Sequence, residues 1–313
     1  MAVTGSGRDK MKKIVMMRST KSYLPQIDAS INYFNSKDLN YKLYDSSAID
    51  GFTLRDFDAV WTFPGIDIHG TKEVPIIQEY VSLSTGIFPK LKNKIKRRIN
   101  TVPALRIFLN QLVESEMNFT DGVESLQRDM GVDDLFFRFR EQVKLYDCVY
   151  IGSMAKERKT EKLLRHFKEQ KEKRTILMIG TVPDHIHKEF GKVENIIFTG
   201  DVPYQDVPKY ASQAVYGINY MPDTYPFNLQ TSTKLLEYLA MDLKIITTDY
   251  QWVNQFMEQQ NMNFITINES LENLDTQLDQ SKPQGICEEA VRAFSWSNII
   301  KNAGIEEKLN QLL

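Results

Sequence analysis

Lys234 and Glu237 stand three positions apart behind a run of hydroxyl side chains, Thr231, Ser232 and Thr233. Side chains of that kind cap the start of a helix. Leu235, Leu236, Leu239 and Ala240 follow at spacings that predict a short helix with one buried face. Such a helix start offers backbone N–H groups and the positive end of the helix dipole, which suits a phosphate. Lys234 in the first turn would neutralise a further phosphate charge, and Glu237 one turn on would reach a neighbouring hydroxyl. Phosphate beside a sugar hydroxyl is the chemistry of a nucleotide sugar. The same residues also fit an ordinary amphipathic helix entering a parallel strand, here residues 245–248 with Asp249 at its carboxyl end.

The elements that would position these groups alternate along the chain. Residues 14–17 are a short apolar run, fit for a buried first strand. Arg18 opens the polar loop at its carboxyl end, where ligands bind in open α/β sheets. Residues 24–34 have helical spacing. Strands are expected at residues 41–44, 59–63 and 74–80, and an apolar helix over 102–113. Further on, a strand over residues 146–154 runs into Gly152, a helix follows over about 160–172, and strands recur at 175–179, 195–200 and 214–220. Strands alternating with helices argue for an α/β fold with parallel sheets.

A chain of 313 residues with 42% hydrophobic and 26% charged side chains reads as two ordinary globular domains. The formal net charge of −2 argues against a dedicated nucleic-acid binder. Cys148 and Cys287 are the only cysteines, which excludes a disulfide framework and points to a reducing, cytoplasmic setting. No run of about 18 apolar residues and no signal peptide is present. Residues 1–10 read as an expression leader or a mis-called start, residues 11–143 as a first domain and 144–313 as a second.

Four blocks of the second half carry a further signal in their order. They are the Gly152 turn with Arg158 and Lys159, the segment from Asn195 through Gly200 to Tyr210, residues 230–249, and Phe294-Ser295-Trp296-Ser297-Asn298. Together they resemble the GT-B glycosyltransferases, especially the retaining family 4 type. The resemblance implies two Rossmann-like domains facing across a cleft, the first holding an acceptor and the second a UDP- or GDP-sugar, with the last helix crossing back. It implies that Ser232, Thr233 and Lys234 hold the donor diphosphate and Glu237 the ribose. Gly152, Arg158 and Lys159 would grip the diphosphate as well, and Val202 and Tyr204 would lie against the base. Asp242 replaces the family's turn glycine, and aspartate tolerates the left-handed conformation that the turn needs. The family's first glutamate falls on Leu229, whose flanking Asn228 and Gln230 would take over its contacts to the donor sugar. Glu79 matches a sugar-proximal polar position. Neither a cofactor nor a metal is implied. The implied activity is transfer of a sugar to a glycan or glycolipid acceptor in cell-surface polysaccharide synthesis, with retention. Leu229 leaves open a non-catalytic partner subunit, and the fold a GT-B sugar-nucleotide epimerase.

Two features lie outside those blocks. His69, with Asp67, occupies a loop after a predicted strand, as a sugar contact, a general base or a plain surface histidine. In residues 88–100, Lys90, Lys92, Lys94, Lys96, Arg97 and Arg98 surround Leu91, Ile95 and Ile99, which sit four apart on one helical stripe. A basic amphipathic helix suits an anionic membrane surface, each cation contributing about 1 kcal/mol. This would make the protein peripheral on the inner face of the plasma membrane. Alternatively the stripe packs on its own domain.

Overall fold

The computed structural model describes residues 10–19, 24–65, 74–141, 143–280 and 287–313. They form two compact units: one comprises residues up to Met130 together with Trp296–Leu313, the other Gly131–Ser295. In the first unit come β1 (Lys12–Met16), α1 (Pro25–Asn35), β2 (Tyr41–Asp45), β3 (Ala59–Thr62), β4 (Ile76–Tyr80), α2 (Pro89–Ile99), β5 (Leu105–Phe108), α3 (Gln111–Met117) and β6 (Ser125–Gln127). The second unit runs through β7 (Tyr146–Ile151), α4 (Thr160–Glu169), β8 (Ile176–Ile179), α5 (Asp184–Phe190), β9 (Ile196–Gly200) and α6 (Val207–Ala211). It continues with β10 (Ala214–Asn219), α7 (Thr233–Ala240), β11 (Lys244–Thr248), α8 (Gln251–Gln260), β12 (Ile265–Ile267), α9 (Leu274–Asp279) and α10 (Glu288–Arg292). The chain then returns to the first unit with α11 (Trp296–Asn302) and α12 (Ile305–Leu312).

Each unit is built on a six-stranded parallel sheet, ordered β2-β1-β3-β4-β5-β6 and β12-β11-β10-β7-β8-β9. Strands covered on both faces read as continuous apolar runs, and the wholly buried Ile-Leu-Met-Ile of β8 is one. Both units thus have the α/β architecture with a parallel sheet expected from the sequence.

The division of the chain differs from the expected break at 143/144. The N–H of Val132 donates to the Phe294 carbonyl at 2.8 Å, and Val132 bridges Ser295, so residues from Gly131 onward are bound to the second unit. Trp296, Ile300, Ile305 and Leu309 instead complete the first core, with Ile14, Ile27, Trp61 and Ile107. The helix expected over residues 102–113 is two elements. Leu105–Phe108 is the fully buried strand β5, and α3 starts only at Gln111, where Asn110 accepts a hydrogen bond from the N–H of Val113. A short apolar run carries too few residues to tell a buried strand from a helix. The packed-stripe reading of residues 88–100 fails, because Leu91, Ile95 and Ile99 are all exposed. Asp67 and His69 lie outside the described residues, as do residues 1–9 of the leader segment.

Glu79 is a structural pin and not a sugar contact. It is buried on β4, where Oε2 accepts a 2.8 Å hydrogen bond from Trp61 Nε1 and Oε1 pairs with Arg128. The Arg128 guanidinium lies 5.3 Å from the Trp296 ring centre. One buried ion pair thus links the sheet to the returning C-terminal helix. Removing one member of such a pair strands a charge in the core, so Glu79→Ala should destabilise the first unit by about 3–5 kcal/mol. Urea unfolding checks this, and a loss below about 1 kcal/mol would show that the pair carries no structural weight.

Candidate functional site

In the second unit, the N-terminus of α7 meets the carboxyl ends of β7 and β10. The helix lies flush on the sheet because Gly217 has no side chain. A Cβ there would sit 2.3 Å from Cγ of the Tyr238 ring. The Tyr238 hydroxyl in turn accepts from the N–H of Ile151 at 2.8 Å, tying α7 to the last residue of β7. Behind α7, Asp242 closes the turn into β11 at φ +59°, the left-handed conformation expected of it. Gly152 follows β7 at φ +130°. A Cβ at Gly180, on the neighbouring strand end, would meet the Gly152 carbonyl oxygen at 2.5 Å. Two glycines are therefore needed for these strand ends to lie side by side.

The expected hydroxyl cap is absent: Ser232 occupies the N-cap position of α7 but makes no side-chain cap hydrogen bond. Its hydroxyl donates instead to Asn219 Oδ1 at 2.7 Å, while Asn219 Nδ2 donates to Thr247 Oγ1 and to the Tyr250 hydroxyl, both at 2.9 Å. This buried network spends the hydroxyl on fixing the loop, so the first-turn N–H groups of α7 keep their capacity for an anion.

Two cations share the pocket in front of that helix start. It is lined by Gly152, Ser153, Arg158, Gln230, Thr231, Ser232, Thr233 and Lys234, with Tyr150, Ile151, Met221 and Phe227 as its apolar wall. Lys234 Nζ stands 4.1 Å from the Tyr150 ring centre, and the Arg158 guanidinium 4.5 Å from that of Phe227. Aromatic faces hold cations without neutralising them. Among the described residues neither cation is ion-paired to a carboxylate. Desolvation, reinforced by the nearby Arg158 and only partly offset by Glu237, holds the Lys234 ammonium well below the usual lysine range. An anion with more than one charge would relieve both cations at once.

Glu237 lies buried one turn along, and its Oε1 accepts from the Tyr204 hydroxyl at 3.2 Å. Desolvation pushes its carboxyl up to about 8, against the opposing hydrogen bond from Tyr204 and the charge of Lys234. Near neutral pH it is a protonated acid, able to donate as well as accept. Tyr204 is braced by Phe136, ring centres 5.3 Å apart.

Of the residues expected at a site, Gly152, Arg158, Gln230, Thr231, Ser232, Thr233 and Lys234 come together in the pocket. Lys159 does not. It adopts φ +53° at the start of α4, and its ammonium is held by Glu269 at 2.7 Å, with Lys162 also near that carboxylate. Asn228 is turned to Asp223 at 3.0 Å, and neither Asn228 nor Leu229 lines the pocket. Val202 and Tyr204 also stand outside the lining, although Tyr204 reaches Glu237. In the first unit, Arg18 is clamped between Asp45 and Asp28, each at 2.6 Å, so its guanidinium fastens β2 and α1 to the end of β1. Five lining residues were not expected from the sequence: Ile151, Ser153, Tyr150, Met221 and Phe227, the last three forming the wall around the cations. The sequence signal of those three is that of core residues, and only the fold brings a ring beneath each cation. Among the described residues no group of three or more His, Cys, Asp or Glu is arranged to hold a metal.

Residues 146–280 match the family described as Glycosyl transferases group 1. No protein of curated function matches the sequence. Among solved structures, Anabaena HepE in complex with UDP and glucose is similar at 11% identity and a TM-score of 0.69, over 96% of this chain and 100% of that one. Sucrose-phosphate synthase from Thermosynechococcus elongatus gives 9%, 0.68, 96% and 99% for the same measures. AviGT4, a glycosyltransferase involved in avilamycin A biosynthesis, gives 11%, 0.62, 96% and 98%.

The Glu237 carboxyl has a consequence for stability. With a folded value of about 8 against 4.5 for the free group, the folded state keeps a proton that the unfolded state has released between those values. Stability is therefore lost as pH rises through that window, by on the order of 1 kcal/mol per pH unit at most. Glu237→Gln should flatten this dependence, read as melting temperature against pH from about 5 to about 8. Parallel curves for the two proteins would refute a buried, protonated Glu237.

Proposed function

We propose that this chain, a glycosyltransferase by its group 1 domain at residues 146–280 and GT-B by fold, moves a sugar from a UDP- or GDP-sugar to a hydroxyl of a glycan or glycolipid acceptor. The observation that carries the donor assignment is the pairing of Arg158 and Lys234, without a carboxylate between them, at an uncapped helix start. HepE in complex with UDP and glucose makes UDP the first nucleotide to test.

In this reading the bond between the sugar C1 and the diphosphate oxygen breaks as charge builds on the departing diphosphate. Arg158, Lys234 and the first-turn N–H groups of α7 stabilise that charge, and being already in position they need no reorganisation. The acceptor oxygen forms the new bond to C1 and hands its proton to the departing phosphate. We assign a retaining course, in which the acceptor oxygen attacks on the face that the diphosphate leaves, so that no enzyme nucleophile is required. Glu237 serves the ribose hydroxyls, and Gln230 with the neighbouring backbone takes the donor-sugar contacts for which Leu229 has no polar group. We extend the proposal to a role in building a cell-surface polysaccharide.

Thermal shift against a panel of nucleotide sugars identifies the donor, and transfer assays follow with it. Lys234→Ala and Arg158→Ala should each lower turnover about 10²–10³-fold with the fold intact. Lys159→Ala should stay within about threefold, because its ammonium serves Glu269. Near-normal transfer by Lys234→Ala would overturn the assignment.

A further inference from the structure

Helix α2 is amphipathic in the wrong sense for a surface helix. Its one buried side chain is polar: Asn93 accepts from the N–H of Ser84 at 3.0 Å. At about 100° per residue, Leu91 and Ile95 fall on the opposite side. Leu91 is 54% exposed, and Ile87 and Phe88 just before the helix are 77% and 72% exposed. With Ile99 and Val102 they make six of the ten large hydrophobic side chains exposed among the described residues, all within one short segment. Phe88 holds φ +51° at the helix start, directly before Pro89. Bulky residues rarely adopt that conformation, and strained backbone of this kind collects at working surfaces.

The charge around this face has one sign. No acidic residue occurs between Glu79 and Glu114, whereas Lys90, Lys92, Lys94, Lys96, Arg97 and Arg98 all do. Arg97 is committed inward, to the carbonyls of Met117 and Asn118 at the end of α3, and Lys92 to that of Thr85. Lys94 and Arg98 flank the exposed aliphatics and, among the described residues, have no carboxylate partner. A net charge of −2 for the whole chain gives no general attraction to anions, so any such attraction is local to this patch.

We propose that the outer face of α2 docks the protein on an anionic lipid bilayer, with Ile87, Phe88, Leu91 and Ile95 entering the headgroup boundary and Lys94 and Arg98 meeting lipid phosphates. A narrow apolar strip ringed by cations is the form that interfacial helices take. Six like charges disfavour a second copy of the same face as the occupant. The inference rests on the surface of the first unit and not on the sugar-transfer reading, so either can fail alone.

The test is cosedimentation of the full chain with vesicles of phosphatidylglycerol and phosphatidylcholine in equal parts, against pure phosphatidylcholine. Binding is expected to the anionic vesicles only, falling about tenfold or more between about 0.1 M and about 0.5 M salt. Leu91→Ser with Ile95→Ser, and separately Lys94→Gln with Arg98→Gln, should each lower partitioning about tenfold or more. Melting temperature and UDP binding should be unchanged in both variants. The proposal is overturned if the wild type ignores anionic vesicles at low salt, binds both vesicle types equally, or binds as well with either pair replaced. A dimer in solution that the Leu91→Ser, Ile95→Ser variant dissolves would equally overturn it, assigning the face to a second copy.

Discussion

A cation taken from water without a carboxylate to pair with is the constraint on which the second unit is built. Desolvation penalises the Lys234 ammonium, and Arg158 adds repulsion. The frame around both charges is fixed at several points. Gly217 lets α7 lie on the sheet, Tyr238 ties it to β7, and the Ser232–Asn219–Thr247–Tyr250 network fixes the loop before it. The aromatic faces of Tyr150 and Phe227 supply the mildest compensation available. An anion placed there would offset both the desolvation of Lys234 and its repulsion from Arg158.

What could be read from the sequence was what is local along the chain. The helix at Thr233–Ala240, the glycine turn after β7 and the left-handed Asp242 each depend on neighbours within a few residues, and each stands as read. Partner choice depends on residues far away in sequence. Lys159 looked equivalent to Arg158 but finds Glu269, 110 positions on. Arg18 looked like a ligand-facing loop residue but is consumed by Asp45 and Asp28. Glu79 matched a sugar-proximal polar position, yet Trp61 and Arg128 bury it. In each case a charged residue type was visible, and whether its charge was already spent was not.

The same limit applies to α2. Periodicity reveals that a helix has an apolar stripe but not which way the stripe faces, because facing is decided by the rest of the unit. Here the small polar side chain of Asn93 meets the Ser84 backbone and takes the inward position. Leu105–Phe108 illustrates the complementary ambiguity: four buried residues in a row are as good a parallel strand as a helical turn, and Asn110 ends the question only by capping the helix that follows.

The return of α11 and α12 to the first unit sets an order of assembly during synthesis. Residues up to Met130 are made first, but their core lacks Trp296, Ile300, Ile305 and Leu309, and Arg128 lacks the indole it faces. The 165 residues of Gly131–Ser295 are translated in between, which takes roughly ten to thirty seconds at 5–20 residues per second. The second unit therefore has every residue of its core before the first does. Throughout that interval the earlier-made sheet stands with one side of its core unfilled, a state in which holdase chaperones would find apolar surface to bind.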